Sequence, residues 1–182
     1  MKEPTNPRIM GIDPGLVRTG YALIELDARG ATRVIEAGIL KLSPKRSVAD
    51  RLRDLDEDLR ALITELRPDR VVVEQIFAHS KHVRTAIIMA HARGVILLAA
   101  ARADLPIMEL SPATIKSAVA GNGQATKRQM QLAVTAQCGL AKPPSPADVA
   151  DAIAIALADA RRIWRAPARL GAVVTQFGRA VP

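Results

Sequence analysis

Four acidic side chains have the type and spacing that metal-dependent chemistry needs. Asp13 ends the apolar segment RIMGID, and Glu74 directly follows three valines. Asp148 and Asp151 are three residues apart at the start of a predicted helix, so they share one helix face. Phosphodiester cleavage by a pair of Mg²⁺ ions about 4 Å apart uses carboxylate oxygens of this kind as ligands. The four acids therefore predict a metal site for phosphodiester hydrolysis.

Each acid also has a structural explanation that the sequence leaves open. Asp148 and Asp151 lie in a first helical turn, where acids cap free amides and complement the helix dipole. Asp13 precedes a Pro-Gly pair and could simply form a turn. Glu74 is harder to explain in this way, because an acid at the end of a strand buried on both faces needs a partner or a ligand.

The hydrophobic pattern predicts the elements that must position these acids. The order is three strands, a helix, a strand, a helix, a strand and three helices. The predicted strands are 8–13, 19–26, 32–41, 70–75 and 106–110, and the helices are 47–67, 83–103, 112–119, 126–138 and 147–165. We expect an α/β fold with a five-stranded mixed sheet, three antiparallel strands followed by two parallel ones, flanked by helices.

The first predicted helix is amphipathic, and its apolar stripe is expected to face the core. The stripe consists of Val48, Leu52, Leu55, Leu59, Leu62 and Leu66. Residues 8–165 are expected to form a single domain. Residues 1–7 are expected to be a flexible N-terminus and residues 166–182 a basic, mobile C-terminal tail.

Composition limits the classes of function. The 182 residues are 49% hydrophobic and 24% charged, which is ordinary for one globular domain. The single cysteine excludes an internal disulfide and predicts a cytoplasmic location, and we expect no membrane segment. The net charge is +8, and residues 92–182 carry 11 basic against 5 acidic side chains. This excess favours a polyanionic partner such as nucleic acid.

Six ordered motifs resemble the RuvC-type Holliday junction resolvases, which are crossover junction endodeoxyribonucleases. They are IMGIDPG, TGYALIE, VVVEQIF, ARGV, IKSAVAGNGQATKRQM and ADVADAIAIALA. The resemblance covers residues 8 to about 160 and implies a ribonuclease H-like fold. It also implies a homodimer that cuts two opposed strands of four-way junction DNA in recombination and repair. A branch-migration helicase complex of the RuvA and RuvB type is the further partner that it suggests.

The resemblance carries specific roles onto residues of this chain. Asp13, Glu74, Asp148 and Asp151 match the family's four catalytic, metal-binding acids, which implies two Mg²⁺ ions per site, with Mn²⁺ as the alternative. The implied reaction is in-line attack of a metal-activated water, leaving a 5′-phosphate and a 3′-hydroxyl. Some members have a histidine at the position of Asp148.

Four further residues are expected to contact DNA. Phe77 matches an aromatic that the family places near the junction centre, where a ring stacks on unpaired bases, although a core position would also suit a ring. Lys116 and Lys127 match basic positions near the cleaved phosphate. Arg128 is a candidate phosphate contact because it adjoins Lys127.

Three other functions compete with a junction resolvase. A junction-binding protein without catalysis would be favoured by loss of any of the four acids, and none is missing. A general ribonuclease H-like nuclease would use the same acids and stays open. An actin-like ATPase also has a strand followed by GIDPG, but it needs two duplicated domains, which 182 residues cannot supply.

Overall fold

Five strands form one mixed sheet in the computed structural model, which describes residues 6–76 and 83–165. The strands are β1 (Arg8–Asp13), β2 (Arg18–Leu26), β3 (Thr32–Lys41), β4 (Arg70–Glu74) and β5 (Ile107–Leu110). Their order across the sheet is β3-β2-β1-β4-β5. The first three pair antiparallel, and β4 and β5 run parallel to β1. The predicted fold class is confirmed.

Five helices cover the two faces of this sheet. They are α1 (Val48–Leu66), α2 (Val83–Arg102), α3 (Pro112–Ala120), α4 (Lys127–Gln137) and α5 (Ala147–Arg165). Helices α1 and α2 pack on one face, against side chains such as Met10, Leu23 and Val71. Helices α3, α4 and α5 pack on the other, against Ile9 and Val72 among others. Two separate aliphatic cores therefore hold the sheet between them.

Helix α5 lies unusually close to β1 and β2 because two strand residues lack a side chain. A Cβ placed on Gly11 would come within 2.3 Å of the Ala152 carbonyl oxygen. A Cβ placed on Gly20 would come within 2.2 Å of the Asp148 carbonyl oxygen. Both distances are shorter than any ordinary contact, so the first two turns of α5 take their position from these two glycines.

The other end of α5 is attached to the sheet by a buried ion pair. Asp159 has no exposed surface and accepts a hydrogen bond from Arg70 of β4 at 3.2 Å and from Arg162 at 2.9 Å. The Arg70–Asp159 pair joins residues that are far apart in the sequence, and it connects helix α5 to strand β4 of the sheet. Asp159 therefore has a structural role.

Helix α1 buries a different stripe from the one that hydrophobicity predicts. Leu55, Leu59 and Leu66 are buried as expected, but Val48 is 39% exposed. Arg51 occupies the buried position instead, and its guanidinium donates a hydrogen bond to the Leu16 carbonyl oxygen at 3.0 Å. The expectation for Val48 was wrong because this backbone contact draws the first turn of the helix toward residue 16.

Replacing the buried acid tests how α5 is held. Asp159→Asn should lower the free energy of unfolding by about 3 kcal/mol, because Arg70 and Arg162 keep their charge and lose their counter-charge. Asp54→Asn is the matched control, since Asp54 pairs with Arg46 at the surface and its loss should cost under about 1 kcal/mol. Urea unfolding of both variants measures the difference, and equal losses would contradict the assignment.

Candidate active site

Two of the predicted acids end neighbouring parallel strands. Ile12 of β1 pairs with Val73 of β4, so the next residues, Asp13 and Glu74, emerge side by side at the carboxyl edge of the sheet. Side chains alternate along a strand, and Asp13 therefore shares the face of Gly11, which is the face that α5 covers. Glu74 shares that same face, because Val72 two residues earlier belongs to the core beneath α5.

The first turn of α5 supplies the other two acids. Asp13 pairs with Gly20 in the β1–β2 register, and Gly20 is where the backbone of Asp148 touches the sheet. Asp148 therefore lies directly over Gly20, the residue of β2 that pairs with Asp13. Asp151 follows about one helical turn later. The structure brings together all four acids that the sequence predicts.

The acids are close enough to raise one another's proton affinity. Burial raises the pKa of Asp13 to about 7, and the charges of Asp151, Glu74 and Asp148 add to the shift. The pKa of Glu74 is raised by burial and then by Asp151. Burial and the charge of Asp148 raise the pKa of Asp151, while Lys127 lowers it. Negative charge is therefore concentrated here beyond what the neighbouring cations offset.

Two lysines that the sequence predicts as DNA contacts belong to the same site. The Lys127 Nζ lies 3.8 Å from the Asp151 Oδ2, and its side chain is 83% exposed. Lys116 lowers the pKa of Glu74 and of Asp151, which places its positive charge beside both acids. The two lysines are thus available at the edge of the carboxylate cluster.

The start of α4 is fixed by a local capping motif that positions Lys127. Thr126 is the N-cap, and its side chain and that of Gln129 form a reciprocal capping box. Lys127 is then the first residue of the helix and lies beside Asp151. Arg128 is exposed, and it forms no ion pair within the described part of the chain. Phe77 lies outside the described residues.

Arg18 is a site residue that the sequence analysis missed. Its Nε lies 3.5 Å from the Asp148 Oδ2, so Arg18 and Lys127 pair with different acids of the cluster. The signal was its position as the first residue of β2, since the antiparallel return strand brings it back beside the end of β1. Arg18 follows Asp13 by five positions across a tight turn, and this closeness could have made it a candidate site residue in the sequence analysis.

The turn between Asp13 and Arg18 is held by two polar contacts. The Thr19 hydroxyl donates to the Gly15 carbonyl oxygen at 2.5 Å, and Thr19 is fully buried. Arg51 donates to the Leu16 carbonyl oxygen from the other side. These bonds satisfy two backbone carbonyls of the turn and so fix the direction in which β1 ends.

The donor set fits a hard divalent cation in its chemistry. Four carboxylates offer only oxygen ligands, and burial first and neighbouring acids second raise the pKa of three of them, so a bound cation would favour their charged forms. Across residues 6–76 and 83–165, however, no three His, Cys, Asp or Glu side chains stand close enough to hold one ion. Two of the four acids are instead paired with cations, Asp148 with Arg18 and Asp151 with Lys127.

Comparison with known proteins gives one consistent family. A protein of Rhodopirellula baltica described as "Crossover junction endodeoxyribonuclease RuvC" is 46% identical over 151 residues, which cover 82% of this chain and 83% of the relative. A Frankia alni protein of the same description is 41% identical over 161 residues, covering 88% of this chain and 80% of the relative.

A solved structure shares both the fold and part of the sequence. Thermus thermophilus RuvC in complex with Holliday junction substrate superposes with a TM-score of 0.81 at 30% identity, covering 86% of this chain and 94% of that one. Residues 9–159, from the first strand to the buried Asp159, match the family "Crossover junction endodeoxyribonuclease RuvC". The carboxylate cluster lies within that match, and this chain belongs to the RuvC family of crossover junction endodeoxyribonucleases.

Proposed function

We propose that this chain resolves four-way DNA junctions by paired, symmetric nicks, each made by two-metal hydrolysis that leaves a 5′-phosphate and a 3′-hydroxyl. The observation that carries the proposal is the convergence of Asp13, Glu74, Asp148 and Asp151 at one edge of the sheet. A protein that only bound junctions would gain nothing from crowding four acids, because like charges at this spacing destabilise its fold.

The four carboxylates are the residues that would hold Mg²⁺. Asp13 would be one of these ligands, because the charges of all three other acids act on it and raise its pKa beyond the effect of burial. When bound, Mg²⁺ ions increase the hydroxide fraction of a bound water and stabilise the charge that develops on the phosphate and the leaving oxygen. Mn²⁺ accepts the same oxygen ligands and is the alternative.

The basic side chains orient the DNA strand around this cluster. Lys127 is exposed and flexible, so its ammonium can reach a phosphate oxygen while its stem stays fixed at the start of α4. Lys116 lies beside Glu74 and offsets charge on the same side. Cations at these positions draw the polyanion toward an otherwise acidic site, which is the electrostatic condition for binding the cleaved phosphate. We propose Arg128 and Phe77 as further DNA contacts.

A homodimer is part of the proposal, and helix α2 has a face that suits it. Val83, Ile87 and Leu98 are 49%, 52% and 47% exposed, and with Gly94 they fall on one side of the helix. The opposite side, with Ala92 and Ile96, packs in the core. A Cβ on Gly94 would meet nothing within 4 Å, which leaves room for a second helix to approach closely. We propose that a second copy of this chain covers the stripe.

Symmetry favours a second copy over other occupants of the α2 stripe. A two-fold interface uses the same surface on both subunits and matches the two equivalent strands of a junction. By length and composition, α2 is also apolar enough to cross a membrane, and 22% of its most apolar stretch of 18 residues is buried. Its buried face packs against α1 and the sheet, which is the arrangement of a core helix. A cytoplasmic location and a RuvA and RuvB type partner stay predictions.

Replacing the Asp13 carboxylate tests the metal site. Asp13→Asn should lower cleavage of a labelled junction by more than about a hundred-fold, because an amide is a poor ligand for Mg²⁺. Junction binding measured without divalent cations should be retained, since the variant removes a negative charge. Asp54→Asn, the surface control, should cut normally. Sustained Mg²⁺-dependent cutting by Asp13→Asn would contradict the assignment.

The same variant should change how stability depends on pH. The folded pKa of Asp13, about 7, lies above its ordinary value of 3.8, so the folded state binds more protons between these limits. This group therefore stabilises the metal-free fold as pH falls from about 7 toward 4. Asp13→Asn should raise the free energy of unfolding by about 1–3 kcal/mol at pH 8, and by less at pH 5. Urea unfolding at both pH values measures this difference, and a pH-independent change would contradict it.

Removing a proposed phosphate contact should weaken binding in a salt-dependent way. Lys127→Ala should reduce the slope of log affinity against log salt by about 0.9, with lower cleavage at subsaturating DNA. Arg33→Ala is the control, because Arg33 is an exposed cation near the start of β3 and pairs with Glu25, which is not one of the four acids. Binding titrations at several salt concentrations measure this slope for both variants. A slope equal to that of Arg33→Ala would show that Lys127 does not contact phosphate.

Charging the α2 stripe tests the dimer. Ile87→Asp should convert the protein from dimer to monomer in light scattering and should turn paired cuts into single nicks. Leu132→Asp is the matched control, because Leu132 is 53% exposed on α4 and lies outside the stripe. A wild-type monomer at micromolar concentration would refute the interface. Co-sedimentation of the wild type with lipid vesicles, lost in Ile87→Asp, would assign the stripe to a membrane surface instead.

A further inference from the structure

A groove that no proposed role explains opens beside the carboxylate cluster. It has a volume of 560 Å³ and lies between the first residue of β2 and the last residue of β3. Its lining residues are Val17, Arg18, Lys41, Leu42, Ser43 and Pro44. Val17 is 48% exposed, so one wall of the groove is apolar while two cations stand at its opening.

The two cations face each other directly across neighbouring strands. Arg18 of β2 pairs with Lys41 of β3 in the antiparallel register, which puts both side chains on one face of the sheet. Like charges in directly opposed positions destabilise a strand pair. Arg18 relieves part of this through Asp148, but Lys41 has no carboxylate within 4.0 Å in the part of the chain that the structure describes. An anion is therefore the complementary ligand of the groove.

The groove continues the line of the catalytic edge. The strand order places Glu74, Asp13, Arg18 and Lys41 on successive strands β4, β1, β2 and β3. Strands are about 4.8 Å apart, so Lys41 lies two strands, or roughly 10 Å, from the strand of Asp13. Neighbouring phosphates of one DNA strand are about 6–7 Å apart through space, because the 3.4 Å rise is measured along the duplex axis, so roughly 10 Å corresponds to one to two nucleotides. Lys127 lies beside Asp151, whereas Arg18 at the groove lies beside Asp148.

We propose that this groove binds the phosphodiester backbone of the DNA strand being cut, one to two nucleotides from the cleaved bond. The inference rests on the proposed nuclease function and extends it by naming a second backbone contact. Lys41 and Arg18 bind phosphate oxygens, while Val17 and Pro44 contact the sugar. Such contacts set the register of the strand on the protein without reading its sequence. The strand being cut is thus held at two places.

A charge change at Lys41 tests the groove with the active site unaltered. Lys41 is exposed and contacts none of the four acids, so Lys41→Ala and Lys41→Glu should fold normally. Arg33→Ala and Arg33→Glu are the controls, because Arg33 is an exposed cation at the other end of the same strand, where it pairs with Glu25 at 3.4 Å. The measurement is binding of a labelled four-way junction across a salt series without divalent cations.

The expected result is a loss specific to Lys41. Lys41→Ala should reduce the salt slope by about 0.9, and Lys41→Glu should weaken binding further, while both Arg33 variants resemble the wild type. Single neutral methylphosphonates along the cleaved strand should locate the contact. A methylphosphonate one or two nucleotides from the cleaved bond should weaken wild-type binding and leave Lys41→Ala binding unchanged.

Two results would be negative, and they can be told apart. If Lys41→Ala and Arg33→Ala give the same slope while the wild type cuts junctions, the groove proposal is overturned and the nuclease function stands. If the wild type with Mg²⁺ neither cuts junctions nor prefers them to linear duplex, the proposed function itself is overturned. Thermal unfolding of each variant accompanies the titrations, and Lys41→Ala decides the outcome if Lys41→Glu does not fold.

Discussion

The close approach of α5 to the sheet is the constraint on which the candidate site depends. Strand ends alone bring only Asp13 and Glu74 together, because parallel neighbours finish at one edge. The other two acids arrive only because Gly20 lets the Asp148 backbone rest on β2. Asp159 fixes the far end of the helix through Arg70, so the first turn cannot slide along the sheet. The local geometry of one helix thus completes the site.

The fold tolerates this site at the expense of its own stability. Three carboxylates are held where burial and mutual repulsion raise their pKa values, which is unfavourable for the folded chain at neutral pH. The rest of the domain offsets this with two aliphatic cores in which Ile9, Met10 and Leu55 have no exposed surface. The unfavourable burial of charge is thus confined to one edge of the sheet, while both faces of the sheet are tightly packed. A small domain that holds several acids close together needs this balance.

The sequence predicted the elements well because most of them carry a simple period. The aliphatic strands and the stripe on α1 follow the spacing of buried positions, and Asp13 and Glu74 follow from acids at strand ends. The failures come from tertiary contacts that no period encodes. Arg51 replaced Val48 in the buried face because a backbone carbonyl of the Asp13 turn needed a donor. Arg18 was missed because its closeness to Asp148 depends on how tightly α5 packs, and that depends on Gly20.

The cations around the carboxylate cluster have two kinds of possible partner, the carboxylates of the protein and the phosphates of DNA. A basic protein can therefore keep an acidic site accessible. Arg18 and Lys127 pair with different carboxylates of the cluster, at 3.5 and 3.8 Å. Their side chains are 56% and 83% exposed, so neither ion pair is strong and each cation can turn to another anion at little cost. A phosphate backbone crossing the edge of the sheet offers such anions to both cations at once. Under the proposed function, the same two side chains offset the carboxylates in the free protein and would bind the DNA strand in the complex.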